Sequence, residues 1–418
     1  MKLQRTSSLL IGLLTAISFS LIVGAAPAQA APTTNNFDKI VVKVDVSKGR
    51  QISEVTKAYP VTLDSTLLAS RGIYLLRATS SADRGSLTAL TALAGRVAGS
   101  TAVVYSEPNY QTNLTGDRYH SWPTGPPQPR PTDSSSWLNQ PIVTSMKMRE
   151  ARALSQGLGV RIAVLDTGID PNHPALKGRI RPGYDYVGDD SDPTDVATRV
   201  DTSGNGLVDE AYGHGTFVAG LAALVAPDAR IIPMRVLDSD GVGNVFVVAQ
   251  AIMDAVNAGA GVINISLGTD DAIESKTVRD TITMAQSRGV LVVAAAGNDA
   301  STAAHYPAAD AGVLSVTATS GSAVSTWANR GSWVKVAAPG DSVVGPVPGG
   351  GYAAWSGTSM ATPIVAGQLA LVRSRYPTWT SLAQLNAVTS SSRPLTGVTN
   401  GAVDLVASMS KPVPVITE

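Results

Sequence analysis

The sequence predicts a doubly wound α/β domain on a mainly parallel sheet, preceded by a small α+β unit. Three observations carry this expectation. From Trp137 onward, short and nearly continuous apolar runs alternate with helical stretches. Such runs suit strands buried on both faces of a parallel sheet. From Lys39 to Tyr110, strand-like and helix-like runs alternate over a much shorter span. Between the two lies a stretch, residues 114–135, with five prolines and little apolar periodicity. It reads as an exposed linker of polyproline character.

In chain order, the first thirty residues decide the compartment. Lys2 and Arg5 precede an apolar run from Leu9 to Ala26, and Ala28-Gln29-Ala30 supplies small residues at cleavage positions. That is the pattern of a secretory signal peptide, residues 1–30. The run is long enough for a membrane anchor, but the cleavage site and the polar residues after it favour removal. The expected product is secreted, with no membrane attachment in the mature form. Residues 31–113 hold the small unit. "KIVVKVDV" (39–46), "GIYLLRAT" (72–79) and "STAVVYSEPNY" (100–110) read as strands, while "RQISEVTKAY" (50–59) and "SLTALTALAG" (86–95) read as helices.

After the linker, 114–136, the α/β domain is expected over 137–410, with a short tail at 411–418. Its strands are "VRIAVLDT" (160–167), "ARIIPMRVL" (229–237), "GVINISLG" (261–268) and "VLVVAAAGN" (290–298). Its helices are "HGTFVAGLAALVA" (214–226), "FVVAQAIMDAVNAG" (246–259) and "SKTVRDTITMAQSRG" (275–289). In this architecture ligands sit beyond the C-terminal ends of the strands, so those ends are where chemistry is expected.

Composition narrows the chemistry. Lys plus Arg and Asp plus Glu both number 32, so the chain lacks the basic footprint of a nucleic-acid binder. Cysteine is absent, which excludes thiol catalysis, zinc–thiolate sites and disulfides. A serine nucleophile fits what remains. Ser359, in "GTSMATPIVAG" (357–367), sits where a helix must begin, because Pro363 is costly deep inside a helix. A helix cap is the plain alternative.

Two other residues turn the reading towards catalysis. Asp166 ends the first long strand in "LDTGID", and His214 stands between two glycines as a helix begins. The other histidines, at 120, 173 and 305, lie in the linker or in polar and proline-bearing loops, and we read them as structural. A histidine base activates a serine hydroxyl, and a carboxylate fixes the histidine tautomer. Asn298, ending "AAAGN", offers a side-chain amide for an oxyanion, beside the backbone N–H of Ser359.

The segments "VLDTGID", "GHGTFVAG" and "GTSMATPIVAG", with "AAAGN" between the last two, closely resemble the subtilisin-like serine proteases, or subtilases. The resemblance covers about Trp137 to Ala407 and places Asp166, His214, Ser359 and Asn298 on the family's triad and oxyanion positions. It implies a subtilisin-like fold and hydrolysis of peptide bonds through an acyl-enzyme. It further implies that Ser266, Leu267 and Gly268 pair with substrate backbone, and that Gly241 and Gly243 line the opposite side of the cleft. A polypeptide substrate then binds as an added strand. Ala294, Ala295 and Ala296 imply a roomy, apolar pocket. Phe217 stands where many members carry a second histidine.

The small unit resembles the family's inhibitory, chaperone-like propeptide, and "YSEPNY" resembles the strand that ends it. That implies a self-inhibited precursor, cleaved after the unit or within the linker. An α/β-hydrolase esterase would show G-x-S-x-G and the serine first, but here Ala361 replaces the second glycine and the serine comes last. A catalytically dead relative would lack a triad residue, and none is missing.

No cofactor is expected for the chemistry. "DTSGNGLVDE" (201–210) places Asp201, Ser203, Asn205 and Asp209 around Gly206, like the start of a calcium loop. Tyr212 stands where such a loop carries its bidentate glutamate, so we read the segment as a polar surface loop.

Overall fold

The computed structural model describes residues 37–114, 128–269 and 273–410. The chain divides into a unit of residues 1–31 and one of residues 32–418, and the described residues all belong to the second. The expected signal peptide, His120, most of the expected linker and the expected tail lie outside the described residues.

The N-terminal part runs β1 (Lys39–Val44), α1 (Ile52–Ala58), β2 (Val61–Leu68), β3 (Ile73–Ala78), α2 (Leu87–Ala98) and β4 (Val103–Pro108). Its antiparallel sheet has the order β2-β3-β1-β4. The leucine spacing places α2 well: Leu90, Leu93, Ala94 and Val97 are buried, and Ser86 Oγ accepts the Ala89 N–H at 3.1 Å. Strand alternation divides the sheet between two cores. Ile40, Val42, Val44 and Leu76 pack with α2, while Val41, Ile73 and Leu75 join the core of the larger domain. Strand β2 is absent from the sequence-based expectation. Its Thr62, Leu63 and Asp64 are exposed, so it lacks an apolar run.

The next elements are β5 (Gln111–Leu114), β6 (Gln128–Thr132), α3 (Ser134–Leu138), α4 (Pro141–Ser145) and α5 (Met148–Leu154). Gln128–Thr132, read above as linker, is a correction: it pairs antiparallel with Gly351–Trp355. Proline is tolerated at such a sheet edge, where no ladder N–H is needed.

The α/β domain continues with β7 (Arg161–Asp166), β8 (Tyr184–Asp185), α6 (His214–Val225), β9 (Arg230–Arg235), β10 (Val242–Asn244) and α7 (Val245–Asn257). There follow β11 (Val262–Ile265), β12 (Leu267–Thr269), α8 (Lys276–Ser287), β13 (Leu291–Ala295), β14 (Leu314–Ser320) and β15 (Ala323–Val324). The last elements are β16 (Val336–Pro339), β17 (Val343–Val347), β18 (Gly351–Trp355), α9 (Thr358–Arg375), α10 (Ser381–Ser391) and β19 (Gly401–Ala402).

The main sheet has the order β19-β16-β14-β13-β11-β7-β9-β8, with β15 alone antiparallel, on β14. This is the doubly wound, mainly parallel α/β fold that the apolar runs predict. Leu165 and Ala294 both pair with Ile265, so the ends of β7, β11 and β13 lie level. Asp166, Ser266 and Asn298 thereby emerge at one edge. Every residue of α6 is buried, which is why its sequence is apolar on all sides. It packs closely on α9: a methyl on Gly367 would meet Val225 Cβ at 2.6 Å.

Candidate active site

Asp166 and His214 meet directly. His214 Nδ1 donates to Asp166 Oδ1 at 2.7 Å, and both side chains are buried. That bond places the ring proton on Nδ1 and turns Nε2 away from the carboxylate. Two glycines permit the approach. Gly213 caps α6 with φ +90°, a conformation L side chains rarely adopt. A methyl on Gly215 would lie 3.1 Å from Asp166 Cβ.

A residue the sequence reading missed holds this junction. Asp195 Oδ2 accepts the Gly213 N–H at 2.7 Å and the Thr167 hydroxyl at 2.8 Å, and Thr167 Oγ1 accepts the Gly215 N–H at 3.1 Å. Residues flanking Asp166 and His214 are thus bound to one carboxylate. Burial, with some repulsion from Asp166, pushes the Asp195 carboxyl up to about 7, against the pull of Thr167, Gly213 and Arg235. Nothing in the local sequence marks Asp195, because its partners lie at distant positions.

Ser359 stands in the first turn of α9, buried, and its Oγ donates to the Ser266 carbonyl at 3.1 Å. Trp355, four residues earlier, lies edge-on to the His214 ring with centroids 5.3 Å apart. Phe217 is fully buried and packs edge-on to the same Trp355, a packing role in place of a second histidine.

Asn298 is oriented by Thr358, whose N–H and Oγ1–H both reach Asn298 Oδ1 at 2.9 Å. The Asn298 amide nitrogen and the Ser359 backbone nitrogen converge: a methyl on Gly357 would lie 3.7 Å from each. Two donors beside one serine make the geometry of an oxyanion site.

The residues expected to pair with substrate flank a strand of the chain itself. β5 runs antiparallel between β10 and β12, pairing Thr112 with Gly243 and Thr269, and Asn113 with Gly268. Leu267 pairs with Leu114, whose N–H donates to the Gly241 carbonyl at 3.1 Å. Ser266 is outside that ladder, and its carbonyl accepts from Ser359 Oγ. Ala294, Ala295 and Ala296 are fully buried. His305 packs its ring behind Gly268, where any Cβ would strike Nε2, and burial lowers its proton affinity. His173 accepts the Ala175 N–H on Nδ1 at 3.1 Å and donates from Nε2 to Gly351 O at 2.8 Å, a structural role.

The end of β4 docks the N-terminal unit onto two helices. Glu107 accepts from Ser275 Oγ at 2.8 Å and from the N–H groups of Lys276 and Thr277 at 2.9 and 3.0 Å, at the start of α8. Asn109 Oδ1 accepts the Phe246 N–H at 3.1 Å, at the start of α7. Helix starts carry donors without intrahelical partners and a positive dipole, which a carboxylate satisfies well.

In the loop at 201–210, Asp201 is engaged by its own backbone, accepting from Gly204, Asn205 and Gly206. Among the described residues, no group of three or more His, Asp or Glu is arranged to hold a metal ion.

Comparison with known proteins places the chain in a family. The chain is similar to a thermophilic serine proteinase of Bacillus sp. (strain AK1), 37% identical over 287 residues, 65% of this chain and 64% of that protein. It is similar to thermitase of Thermoactinomyces vulgaris, 39% identical over 237 residues, 54% of this chain and 79% of that one. Its fold matches fervidolysin of Fervidobacterium pennivorans, described as a keratinolytic enzyme related to subtilisin. The TM-score is 0.71 at 23% identity, over 91% of this chain and 62% of that one. The chain therefore spans less than two thirds of the first relative and of the solved structure. The subtilase family model, peptidase S8, matches residues 157–403, more than half of the chain. The chain belongs to the subtilase family.

Proposed function

We propose that the protein is a secreted serine endopeptidase, made as a precursor that its own N-terminal unit inhibits. Strand β5 supports this reading most strongly. It is polypeptide held by main-chain hydrogen bonds between β10 and β12, the arrangement a peptide substrate needs. β12 begins one residue after Ser266, which is bonded to Ser359, so that cleft leads to the nucleophile.

In the proposed reaction His214 Nε2 removes the Ser359 Oγ proton as Oγ attacks the scissile carbonyl. Asp166 keeps the ring in the required tautomer and stabilises the imidazolium. The oxyanion accepts from Asn298 Nδ2 and the Ser359 N–H. As the intermediate collapses, the peptide C–N bond breaks and His214 returns the proton to the leaving amine. Water then repeats the sequence on the acyl-enzyme and frees Ser359.

The N-terminal unit occupies this cleft through β5 and is secured by Glu107 and Asn109. We read residues 31–113 as the propeptide and 137–410 as the catalytic domain. Residues 1–30 are read as the secretory signal. Among the described residues, no helix is long and apolar enough to cross a membrane. No metal takes part in the proposed chemistry, and the loop at 201–210 acts as a self-contained polar turn. A chelator is expected to leave the melting temperature unchanged.

Intact-mass and N-terminal analysis of the secreted protein tests the proposal. The parent is expected to begin between Thr112 and Trp137, and Ser359→Ala near Ala31. Identical N-termini in the two proteins would overturn self-processing.

A further inference from the structure

Thr112 lies on β5, opposite Gly243 and Thr269, and its side chain is buried. Beside it is a small cavity whose other walls include Val248, Leu267, Val278, Tyr306 and Asp310. The lining mixes apolar side chains with the hydroxyl-bearing Thr269, Ser275 and Tyr306, and Asp310 is its one charged residue among the described residues. The residue is 6% exposed, and its Oδ1 is buried with no hydrogen-bond partner among the described residues. The Thr112 hydroxyl is also buried with no partner among them. Unsatisfied buried polar atoms are costly and scarce in folded proteins, so two on one cavity call for an explanation.

We propose that Asp310 selects a lysine or arginine at the substrate position that Thr112 takes in the precursor. The inference rests on the endopeptidase reading above. Once β5 has left, an incoming peptide strand between β10 and β12 presents its equivalent side chain to this cavity. Val248, Leu267 and Val278 suit the methylene stem of a long basic side chain, and Asp310 receives its charged end. Threonine is too short to reach that far, which suits a propeptide that must be released. The charged groups acting on Asp310 are Glu274, which repels its charge, and Arg279, which favours it. Arg279 is ion-paired to Glu274, so it does not neutralise Asp310 fully. Burial first, then Glu274, pushes the Asp310 carboxyl up to about 7. A cation at this position is therefore favoured most in alkaline solution.

The test needs no catalysis in its first arm. In full-length Ser359→Ala protein, Thr112→Lys and Thr112→Met are compared with Asp310 present and with Asp310→Asn added. At about pH 8.5 the lysine variant is expected to melt ~3 °C or more above the methionine variant when Asp310 is present. With Asp310→Asn added, that advantage is expected to vanish. Acidification to about pH 5.5 is expected to shrink the difference without any mutation at 310, by protonating part of the carboxyl population that the lysine does not hold ionised. In the second arm, processed enzyme cleaves peptides of sequence 107–118 varied at 112. Lysine is expected to exceed methionine in kcat/KM by about tenfold or more, a ratio that Asp310→Asn brings near unity. Equal melting of the lysine and methionine variants, or a lysine advantage that persists in Asp310→Asn, would overturn the inference. Cleavage of none of the peptides, with the melting contrast intact, would overturn the endopeptidase reading and leave this pocket assignment supported.

Discussion

Ser359 and Ser266 exchange two hydrogen bonds. Ser359 Oγ donates to the Ser266 carbonyl at 3.1 Å, and Ser266 Oγ donates to the Ser359 carbonyl at 3.2 Å. Pro363 accounts for the second. In α9 the Ser359 carbonyl would accept from the amide of residue 363, which as proline has no N–H. Ser266 satisfies the orphaned acceptor and ties Ser359 to the start of β12.

Ser266→Ala is therefore expected to leave that buried carbonyl unsatisfied. Asn264 Nδ2, 3.0 Å from Ser266 Oγ, loses its acceptor as well. The expected cost is about 1–3 kcal/mol, read as a lower urea midpoint at unchanged slope. Ser266→Thr, which keeps the hydroxyl, is expected to recover part of it. An unchanged midpoint in Ser266→Ala would show that the exchange contributes nothing.

In the proposed oxyanion role, Asn298 acts on the transition state rather than on binding. Asn298→Leu is expected to lower kcat by about 100- to 1,000-fold with little change in KM. Steady-state kinetics on the processed enzyme separates the two constants. An intact kcat would remove Asn298 from the oxyanion site.

Asp195 predicts a pH dependence. Its carboxyl lies at about 7 in the folded protein, above the ordinary 3.8, so the neutral form is favoured by folding. The stability it contributes is full below about pH 4, declines as pH rises, and is lost above about pH 7. Asp195→Asn stays neutral and keeps an acceptor for Gly213 and Thr167. Its melting temperature relative to the parent, both in the Ser359→Ala background, is expected to rise between those limits. A constant difference across that range would contradict the assignment.

Glu107 connects the N-terminal unit to α8. Glu107→Ala removes a carboxylate that accepts three hydrogen bonds at a helix start. The Ser359→Ala precursor is expected to lose about 2 kcal/mol, the upper end of a capping loss, and processed enzyme nothing. Equal melting of the two precursors would show that the contact does not secure the unit.

Much of this was legible because β7, β9, β11 and β13 are buried on both faces and so read as apolar runs. Asp166 and Asn298 were legible as strand ends, and Ser359 through Pro363 and its small neighbours. Strand β2 was not, since its exposed edge carries Thr62, Leu63 and Asp64 with no apolar run to mark it. β6 was hidden by prolines that only an edge pairing tolerates. Asp195, Asp310 and Glu107 are ordinary acids in sequence. What distinguishes them is burial against residues far away along the chain, which no local pattern encodes.

The central claim is that Ser359 is the nucleophile of an Asp166–His214–Ser359 triad. Labelling of processed protein with a fluorophosphonate probe, followed by peptide mapping, tests it most directly. Stoichiometric label on Ser359, absent in Ser359→Ala and strongly slowed in His214→Ala, is the expected result. Label at another residue, or equal labelling of Ser359→Ala, would contradict it.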